Sequence, residues 1–277
     1  MNNYKYLKYL LKSNTITHLL TQKGGAIFRI KSALDESNYI SSERPPNKLE
    51  PGGMWFNDAK NIYQSMYNIY DIQKFYLNYM YILYTCINYI TKIDKVLIIG
   101  LGGGQLPMLL KYHFPYIQVK IIELDASVIK AANYMGFSES DKIKVIVGDG
   151  IDYCNNSTET DYDVCIIDLD AGSTVEKFNY EKVSKVINKN GVIGINYFNR
   201  SKQPESLSKK LIPYFKTIKI YPSNVNYVYI CKLDNDPILN LPLTYQTVND
   251  LLKQHKYIHQ IIEKTNVSKS TVINSSI

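Results

Sequence analysis

A cluster of glycines follows an apolar run near the middle of the chain and directly precedes a predicted helix. The cluster consists of Gly100, Gly102, Gly103 and Gly104. Glycines between a strand and a helix allow a tight turn and let a ligand approach the main chain, because they carry no β-carbon. The pattern therefore predicts a loop that binds a nucleotide or nucleoside cofactor, with a merely tight turn as the alternative.

Two acidic residues at the ends of the next apolar runs are predicted to complete this site. Glu123 lies 21 positions after Gly102, where a carboxylate can accept hydrogen bonds from both hydroxyls of a ribose. Asp149, next to Gly150, can accept a hydrogen bond from the exocyclic amine of adenine. The loop lacks the lysine of a phosphate-binding P-loop, so the pattern favours a nucleoside. A solvated surface position is the alternative for Glu123.

Asp168 and Asp170 are the candidate catalytic residues. Asp168 closes the apolar run 162–168, and Asp170 follows two residues later. Ligands of open parallel sheets bind at the carboxyl ends of the strands, so both side chains are expected near the cofactor. Two carboxylates there could orient an amine nucleophile by charge and hydrogen bonding, without a metal. A helix cap is the alternative for Asp170, and a structural role is the alternative for Asp168.

Composition narrows the classes of partner and site. The formal net charge is +7, but the lysines are scattered without a block of like charges, so no specific nucleic-acid partner is expected. The four cysteines are far apart and form no C-x-x-C motif, which argues against a zinc site and a disulfide framework and favours a cytoplasmic location. The pair His255 and His259 lacks the glutamate of an H-E-x-x-H motif, so no metal is expected.

Neither of the two candidate membrane-targeting segments indicates a membrane protein. Residues 1–12 contain three lysines and no cleavage site follows them, so no signal peptide is predicted. Residues 75–90 have nearly the length of a membrane span, but Asn78, Asn88 and several tyrosines interrupt them. A buried helix beside a sheet is the expected structure.

The elements that must position the candidate residues are strands of a parallel sheet. Apolar runs alternate with helical segments, which predicts successive βα units with helices on both faces of the sheet. These runs cover residues 95–100, 118–123, 143–147, 163–168 and 192–196. A helix at 204–214 and a closing hairpin of strands at 217–221 and 227–232 follow.

Three regions are predicted. Residues 1–70 form an N-terminal extension, with a helix at 4–11, a strand at 26–30, a loop through the prolines and glycines at 45–53, and a strand within 60–70. Residues 71–235 form the catalytic domain and begin with a helix at 74–91. Residues 236–277 form a helix at about 245–264 and a polar tail.

Several segments together resemble spermidine synthase-like methyltransferases, and within that family the C-terminal catalytic domain of the dual methyltransferases that modify elongation factor 1-alpha. The resemblance covers residues 54–265 and is most specific in its middle third. The matching segments are VLIIGLGGGQLP at 96–107, HFP at 113–115, IELD at 122–125, GFSESD at 136–141, DGIDY at 149–153 and YDVCIIDLD at 162–170, with weaker matches at Tyr63-Gln64-Ser65, at Tyr79-Met80 and at 225–231.

The resemblance implies an α/β fold with a doubly wound, seven-stranded class I methyltransferase (Rossmann-like) sheet. It implies S-adenosylmethionine as the methyl donor, with Gln64, Leu124, Gly150 and Asp168 among the cofactor contacts. The implied acceptor is a protein with an accessible amine, either an N-terminal α-amine or a lysine, and elongation factor 1-alpha is one candidate. A homodimer is left open, and no membrane partner is implied.

Two alternatives to this function are retained. One is an aminopropyltransferase, which uses decarboxylated S-adenosylmethionine and a polyamine. Such enzymes carry an aspartate in a GGDGG loop where this chain has Gly103, and an aspartate there would repel the carboxylate of the ordinary donor. Tyr79 and the Asp-Leu-Asp-Ala run at 168–171 also replace acidic residues that hold polyamines. The other alternative is a catalytically silent scaffold of the same fold.

Overall fold

The structure, a computed structural model, describes residues 16–20, 26–35, 37–44, 49–57, 63–90, 92–169, 172–198, 205–223, 226–234 and 271–274. The strands of this part of the chain form two sheets. The first sheet contains β1 (Ile16–Leu20), β2 (Ala26–Lys31), β3 (Tyr39–Glu43), β4 (Gly52–Phe56) and β5 (Ser65–Tyr67). The second contains β6 (Lys95–Ile99), β7 (Gln118–Glu123), β8 (Ile143–Val147), β9 (Tyr162–Asp168), β10 (Ile187–Phe198), β11 (Thr217–Ser223), β12 (Asn226–Lys232) and β13 (Thr271–Asn274).

Seven short α-helices are described. They are α1 (Asn78–Tyr84), α2 (Gln105–His113), α3 (Ala126–Met135), α4 (Gly150–Asn156), α5 (Gly172–Val175), α6 (Tyr180–Val186) and α7 (Glu205–Leu211), and a 3₁₀ helix, Thr85–Tyr89, directly follows α1. None of the helices in the described ranges has the length and hydrophobicity needed to cross a bilayer.

The larger sheet has the strand order β13-β11-β12-β10-β9-β6-β7-β8. Strands β8, β7, β6, β9 and β10 are parallel, and β12 is antiparallel to both β10 and β11. This arrangement confirms the predicted doubly wound α/β fold with seven strands, and β13 adds an eighth at the edge beside β11. The strand order reverses between β6 and β9, which is where such folds bind ligands.

The central strands are buried on both faces, which explains their nearly continuous hydrophobicity. Val96 and Ile98 of β6 point to one face, which α1, α2 and α3 cover. Leu97 and Ile99 point to the other face, which α4 to α7 cover. Each face therefore has its own apolar core, and the sheet that carries the candidate acids is held from both sides.

The N-terminal sheet is an antiparallel meander in sequence order, which confirms the predicted small β extension. It contacts α3 through β2, β3 and β4, and Phe28 stacks on Tyr134 at 5.0 Å between ring centroids. At β5, the hydroxyl of Tyr67 donates to the carbonyls of Gly103 (3.0 Å) and Met135 (3.3 Å). The small sheet is therefore attached directly to the glycine loop.

Some local predictions were wrong. The helix expected at 74–91 is only α1 followed by the 3₁₀ helix. The carbonyl of Lys74, which the expected helix would use itself, accepts from the side chain of Gln105 (3.0 Å). Gly52 and Gly53 belong to β4 rather than to a loop. The helices expected at 4–11 and 245–264 lie outside the described residues, and the boundaries near 70 and 235 remain predictions.

Candidate functional site

A cavity of about 770 Å³ lies at the carboxyl ends of β6, β7, β8 and β9, at the point where the strand order reverses. One side, here called the sheet wall, consists of Gly100, Gly102, Glu123, Asp149 and Asp168. The opposite side, the N-terminal wall, comes from the small sheet and its loops: Ser32, Leu34, Asp35, Asn38, Met54, Phe56, Tyr63 and Gln64. The cavity therefore lies between the two sheets.

Most of the predicted cofactor residues line this cavity. They are Gln64, Gly100, Gly102, Glu123, Leu124, Asp149, Gly150 and Asp168. The structure does not bring Gly103 and Gly104 to the lining, and Asp170 lies outside the described residues. The glycines of one loop thus form two groups: Gly100 and Gly102 line the cavity, and Gly103 and Gly104 do not.

Gly100 is required for the close approach of β6 to β9. Its φ is +94°, and a β-carbon at this position would lie 2.2 Å from the carbonyl oxygen of Asp168. Both the left-handed conformation and the contact exclude larger residues. Gly100 therefore brings the start of the glycine loop against the end of the strand that carries Asp168.

Gly103 and Gly104 lie outside the cavity lining and pack against neighbouring side chains. The amide of Gly103 donates to the hydroxyl of Ser65 (2.7 Å), and a β-carbon on Gly103 would lie 2.9 Å from the β-carbon of Ser65. A β-carbon on Gly104 would lie 2.7 Å from the Phe137 side chain. These glycines allow the loop to pack against β5 and Phe137 rather than against a ligand.

Glu123 faces the glycine loop, as predicted. Its side chain is 8% exposed, and its two carboxylate oxygens accept from the amides of Leu101 (2.8 Å) and Asp125 (2.9 Å). Burial raises the pKa of Glu123 from 4.5 to about 7, and the two backbone hydrogen bonds oppose that rise. Each oxygen of a carboxylate has two lone-pair directions, so Glu123 keeps acceptor capacity for a ribose.

Asp149 has a structural role that the sequence analysis did not predict. Its Oδ1 atom accepts from the amides of Ile151 (2.7 Å) and Asp152 (3.4 Å) and thereby caps the N-terminus of α4. Such a cap satisfies backbone donors that have no partner within the helix. Because Asp149 also lines the cavity, the same cap fixes the position of its carboxylate beside a ligand.

Asp125 was missed by the sequence analysis. It caps α3 through the amide of Ser127 (2.8 Å), and it also accepts from the Ser32 hydroxyl (2.5 Å) and the Ala33 amide (3.0 Å). These bonds join the loop after β2 to the end of β7. An acidic residue two positions after Glu123 was visible in the sequence, but its partners lie more than 90 residues away.

Asp168 lies at the end of a row of polar side chains. Its Oδ1 atom accepts from the amide of Asn196 (2.8 Å), whose own oxygen accepts from Asn226 (2.7 Å). On the other side stands Tyr79, whose hydroxyl donates to the carbonyl of Gln64 (3.3 Å). Burial and then the nearby charge of Asp168 raise the pKa of Tyr79 well above 10, so Tyr79 remains a neutral phenol.

The charged residues of the lining all have the same sign. The five acids Asp35, Glu123, Asp125, Asp149 and Asp168 line the cavity, and no lysine, arginine or histidine belongs to its described lining. This contrasts with the net charge of +7 for the whole chain. Like charges repel, so the cavity is unfavourable for phosphates and favourable for a ligand that carries positive charge.

Comparison with known proteins places this site in a family. The model of the family described as "Spermine/spermidine synthase domain" matches residues 80–237, more than half of the chain. The chain belongs to the spermine/spermidine synthase domain family. The matched range contains the glycine loop, all strands from β6 to β12, and the acids of the sheet wall.

Relatives of the chain carry two kinds of name. The chain is 27% identical over 188 residues to the eEF1A lysine and N-terminal methyltransferase of Bos taurus, covering 61% of this chain and 26% of that protein. It is 26% identical over 209 residues to the polyamine aminopropyltransferase of Prochlorococcus marinus (strain MIT 9312), covering 71% and 67%. The chain thus spans about a quarter of the length of the curated methyltransferases that it matches.

A solved structure from the same group agrees with the fold. The crystal structure of human Methyltransferase-like protein 13 in complex with SAH superposes with a TM-score of 0.51 at 26% identity. The match covers 64% of this chain and 88% of that one. The sequence-based assignment to a spermidine synthase-like fold is confirmed.

Proposed function

We propose that this protein is an S-adenosylmethionine-dependent methyltransferase that methylates an amine of a protein substrate. The observation that carries the proposal is the acid-lined cavity at the strand-order reversal, in which Glu123 is bonded to the glycine loop. A sulfonium donor and an amine acceptor both carry or develop positive charge. A described lining whose charged side chains are all acidic suits both of them, whereas it disfavours nucleotides with phosphate groups.

The residues of the sheet wall fit such a donor. Glu123 would hold the ribose hydroxyls, Asp149 would lie beside the adenine, and Gly100 and Gly102 would leave their main chain open to the ligand. Bound S-adenosylmethionine supplies an electrophilic methyl group on a positively charged sulfur. The described lining contains no cationic side chain for its carboxylate, so main-chain amides and the Gln64 amide are the candidate donors for that group.

Asp168 would orient the acceptor amine toward the donor. A protein N-terminal amine has an ordinary pKa of about 7.7 to 8.0, against about 10.4 for lysine, so roughly a tenth or more of it is neutral at pH 7. An N-terminal amine thus needs little help from a general base. The lining, which offers carboxylates and a neutral phenol but no histidine, suits positioning more than proton abstraction. The bovine relative's name makes eEF1A the first acceptor to test.

Calorimetry and labelled transfer test this proposal. The purified chain is expected to bind S-adenosylhomocysteine, and Glu123→Ala is expected to weaken binding by about 1.5 to 3 kcal/mol because a charge-assisted hydrogen bond is lost. Glu181→Gln, on the far surface of α6, is the control and should leave affinity unchanged. Incubation of a cell lysate with methyl-labelled donor, followed by mass spectrometry, should place the label on a protein amine. Absence of binding, or label on a small molecule alone, would contradict the proposal.

An aminopropyltransferase is the second candidate, because the Prochlorococcus relative carries that name and covers most of the chain. The acidic lining also suits a polyamine. The packing at Gly103 provides the counterargument, since an aspartate there would overlap Ser65 of β5 unless the strand moved. Incubation with decarboxylated S-adenosylmethionine and putrescine distinguishes the two: formation of spermidine would favour the aminopropyltransferase. Binding of the cofactor without transfer to any acceptor would favour a silent scaffold.

A further inference from the structure

A row of three hydrogen-bonded side chains crosses the carboxyl edge of the large sheet. Asp168 of β9 is directly opposite Asn196 of β10 in the parallel pair. Asn226 of β12 is opposite Phe198, so it is the diagonal neighbour of Asn196 in the antiparallel pair. Side chains at such direct and diagonal positions share a face of the sheet. All three side chains also line the cavity, so the row follows its lining from β9 to β12.

The row can have only one direction of donation. An ionised carboxylate is purely an acceptor, so Asn196 must present its amide nitrogen to Asp168. Its oxygen then faces Asn226, which must present its own nitrogen, and the observed bonds have this pattern. Asn196 is 4% exposed and Asn226 is 9% exposed, and the cavity is the space that both side chains border. The orientation of the Asn226 amide therefore determines which atom of the Asn196 amide faces Asp168.

We propose that Asn226 is a positioning residue for the amine acceptor: through Asn196, it keeps the Asp168 carboxyl in a fixed orientation toward the cavity. This inference rests on the proposed function. Oδ1 of Asp168 is engaged by Asn196, which fixes the plane of the carboxylate and therefore the direction in which it can accept a hydrogen bond from an amine. Alignment of an acceptor within a fraction of an ångström strongly affects transfer rates.

Among the described residues, three titratable groups face this row. Tyr79 of α1 stands beside Asp168 with its pKa raised, and Glu123 and Asp149 face the same cavity from the ends of β7 and β8. The described lining contains no basic side chain. The amide of Asn196 is therefore the donor from the sheet side that offsets the mutual repulsion of these acids at Asp168.

The substitution Asn226→Asp tests the proposal, because it reverses the direction of donation. The new carboxylate attracts the amide nitrogen of Asn196, which turns its oxygen toward Asp168, and it adds a second negative charge nearby. Both effects favour protonation of Asp168. We expect kcat/KM for the amine acceptor to fall at least about tenfold at pH 7, and the acid limb of its pH profile to move up by about one unit or more. Affinity for S-adenosylhomocysteine should stay within about twofold.

Two further variants make the result specific. Asn226→Ala removes the donor without adding charge, so it should lower kcat/KM with a smaller shift of the acid limb. Asn188→Asp is the matched control, because Asn188 also donates to an aspartate, Asp163 (2.6 Å), but at the opposite end of the β9–β10 pair. It should leave the pH profile in place. A profile for Asn226→Asp that superposes on the wild type, or that matches Asn188→Asp, would overturn the proposal.

A measurement without activity separates this inference from the proposed function. In protein with ¹³C-labelled aspartate, the carboxyl signal of Asp168, assigned by its loss in Asp168→Asn, should titrate at higher pH in Asn226→Asp than in the wild type. A shift without methyl transfer by the wild type would support the row and reject the methyltransferase. Methyl transfer by the wild type with identical titrations would support the methyltransferase and reject the row.

Discussion

The two walls of the cavity differ in charge, burial and attachment. On the sheet wall, Glu123 and Asp168 end β7 and β9, and Asp149 follows β8. All three accept hydrogen bonds from neighbouring main-chain or side-chain amides. On the N-terminal wall, Leu34 is 45% exposed. Among the described hydrogen bonds, the Asp35 carboxylate accepts only from Ser37 and Asn38 of its own turn. Changes in the sheet wall should therefore affect folding and ligand binding together, whereas changes in the N-terminal wall should chiefly affect ligand binding.

The substitution Gly100→Ala should have the largest effect of those that test this difference. A β-carbon there lies 2.2 Å from a main-chain oxygen in a left-handed conformation, so we expect a loss of about 3 kcal/mol in the free energy of unfolding and no measurable cofactor binding. Urea denaturation and calorimetry measure the two losses. Gly148→Ala is the control, since its β-carbon would lie 3.7 Å from Ile122. Equal stability of the two variants would refute this account of the loop.

The buried carboxyl of Glu123 should make stability depend on pH. Its pKa rises from 4.5 to about 7 in the folded state, so the folded protein holds an extra proton between these values. The resulting stabilisation is fully present below pH 4.5 and is lost as the pH rises through 7, a change of about 3 kcal/mol. Urea denaturation from pH 5 to 8 should show this loss in the wild type but not in Glu123→Gln.

The control for this pH series is Glu181→Gln, which removes a surface carboxyl from α6. Its stability should follow the wild-type curve across the same range. If Glu123→Gln also followed that curve, Glu123 would be hydrated in solution, and the sheet wall would be less buried than the structure indicates.

The substitution Ser32→Ala should have the smallest effect of the three. It removes the hydroxyl that donates to Asp125 (2.5 Å). We expect a loss of about 1.5 kcal/mol in the free energy of unfolding, the lower end of the range for a bond to a charged group, because Asp125 keeps its bonds from Ala33 and Ser127. Because this bond joins the loop after β2 to the end of β7, the variant should bind S-adenosylhomocysteine more weakly. Ser184→Ala, on the surface of α6, is the control, because the Ser184 hydroxyl bonds only to the carbonyl of Glu181 among the described bonds. If Ser32→Ala lowered the free energy of unfolding as much as Gly100→Ala, the N-terminal wall would contribute to folding as strongly as the sheet wall.

Sequence patterns predicted the sheet wall well because its signals are local. Buried parallel strands are continuously apolar, and the acids at positions 123, 149 and 168 directly follow such runs. The N-terminal wall has no comparable signal. Ser32 and Asp125 are separated by 93 positions, and nothing in the sequence near either residue indicates the other.

The glycine loop shows a second limit of local patterns. The sequence predicts that Gly100 to Gly104 form a tight turn, but it does not predict which of them faces the cavity. Ser65 and Phe137 pack against Gly103 and Gly104 from distant parts of the chain, and nothing near the glycines in the sequence indicates these contacts. The helix expected from residue 74 begins only at Asn78, and the preceding segment bonds to the distant side chain of Gln105 instead.

The attachment of the glycine loop to β5 has a consequence for ligand affinity. Ser65 accepts from the amide of Gly103, and Tyr67 donates to its carbonyl, so the loop loses its backbone freedom when the chain folds rather than when a ligand arrives. A preorganised loop spares the ligand that entropic cost. Substitutions in β5 that never touch the cofactor should therefore weaken its binding by letting the loop sample more conformations before the encounter.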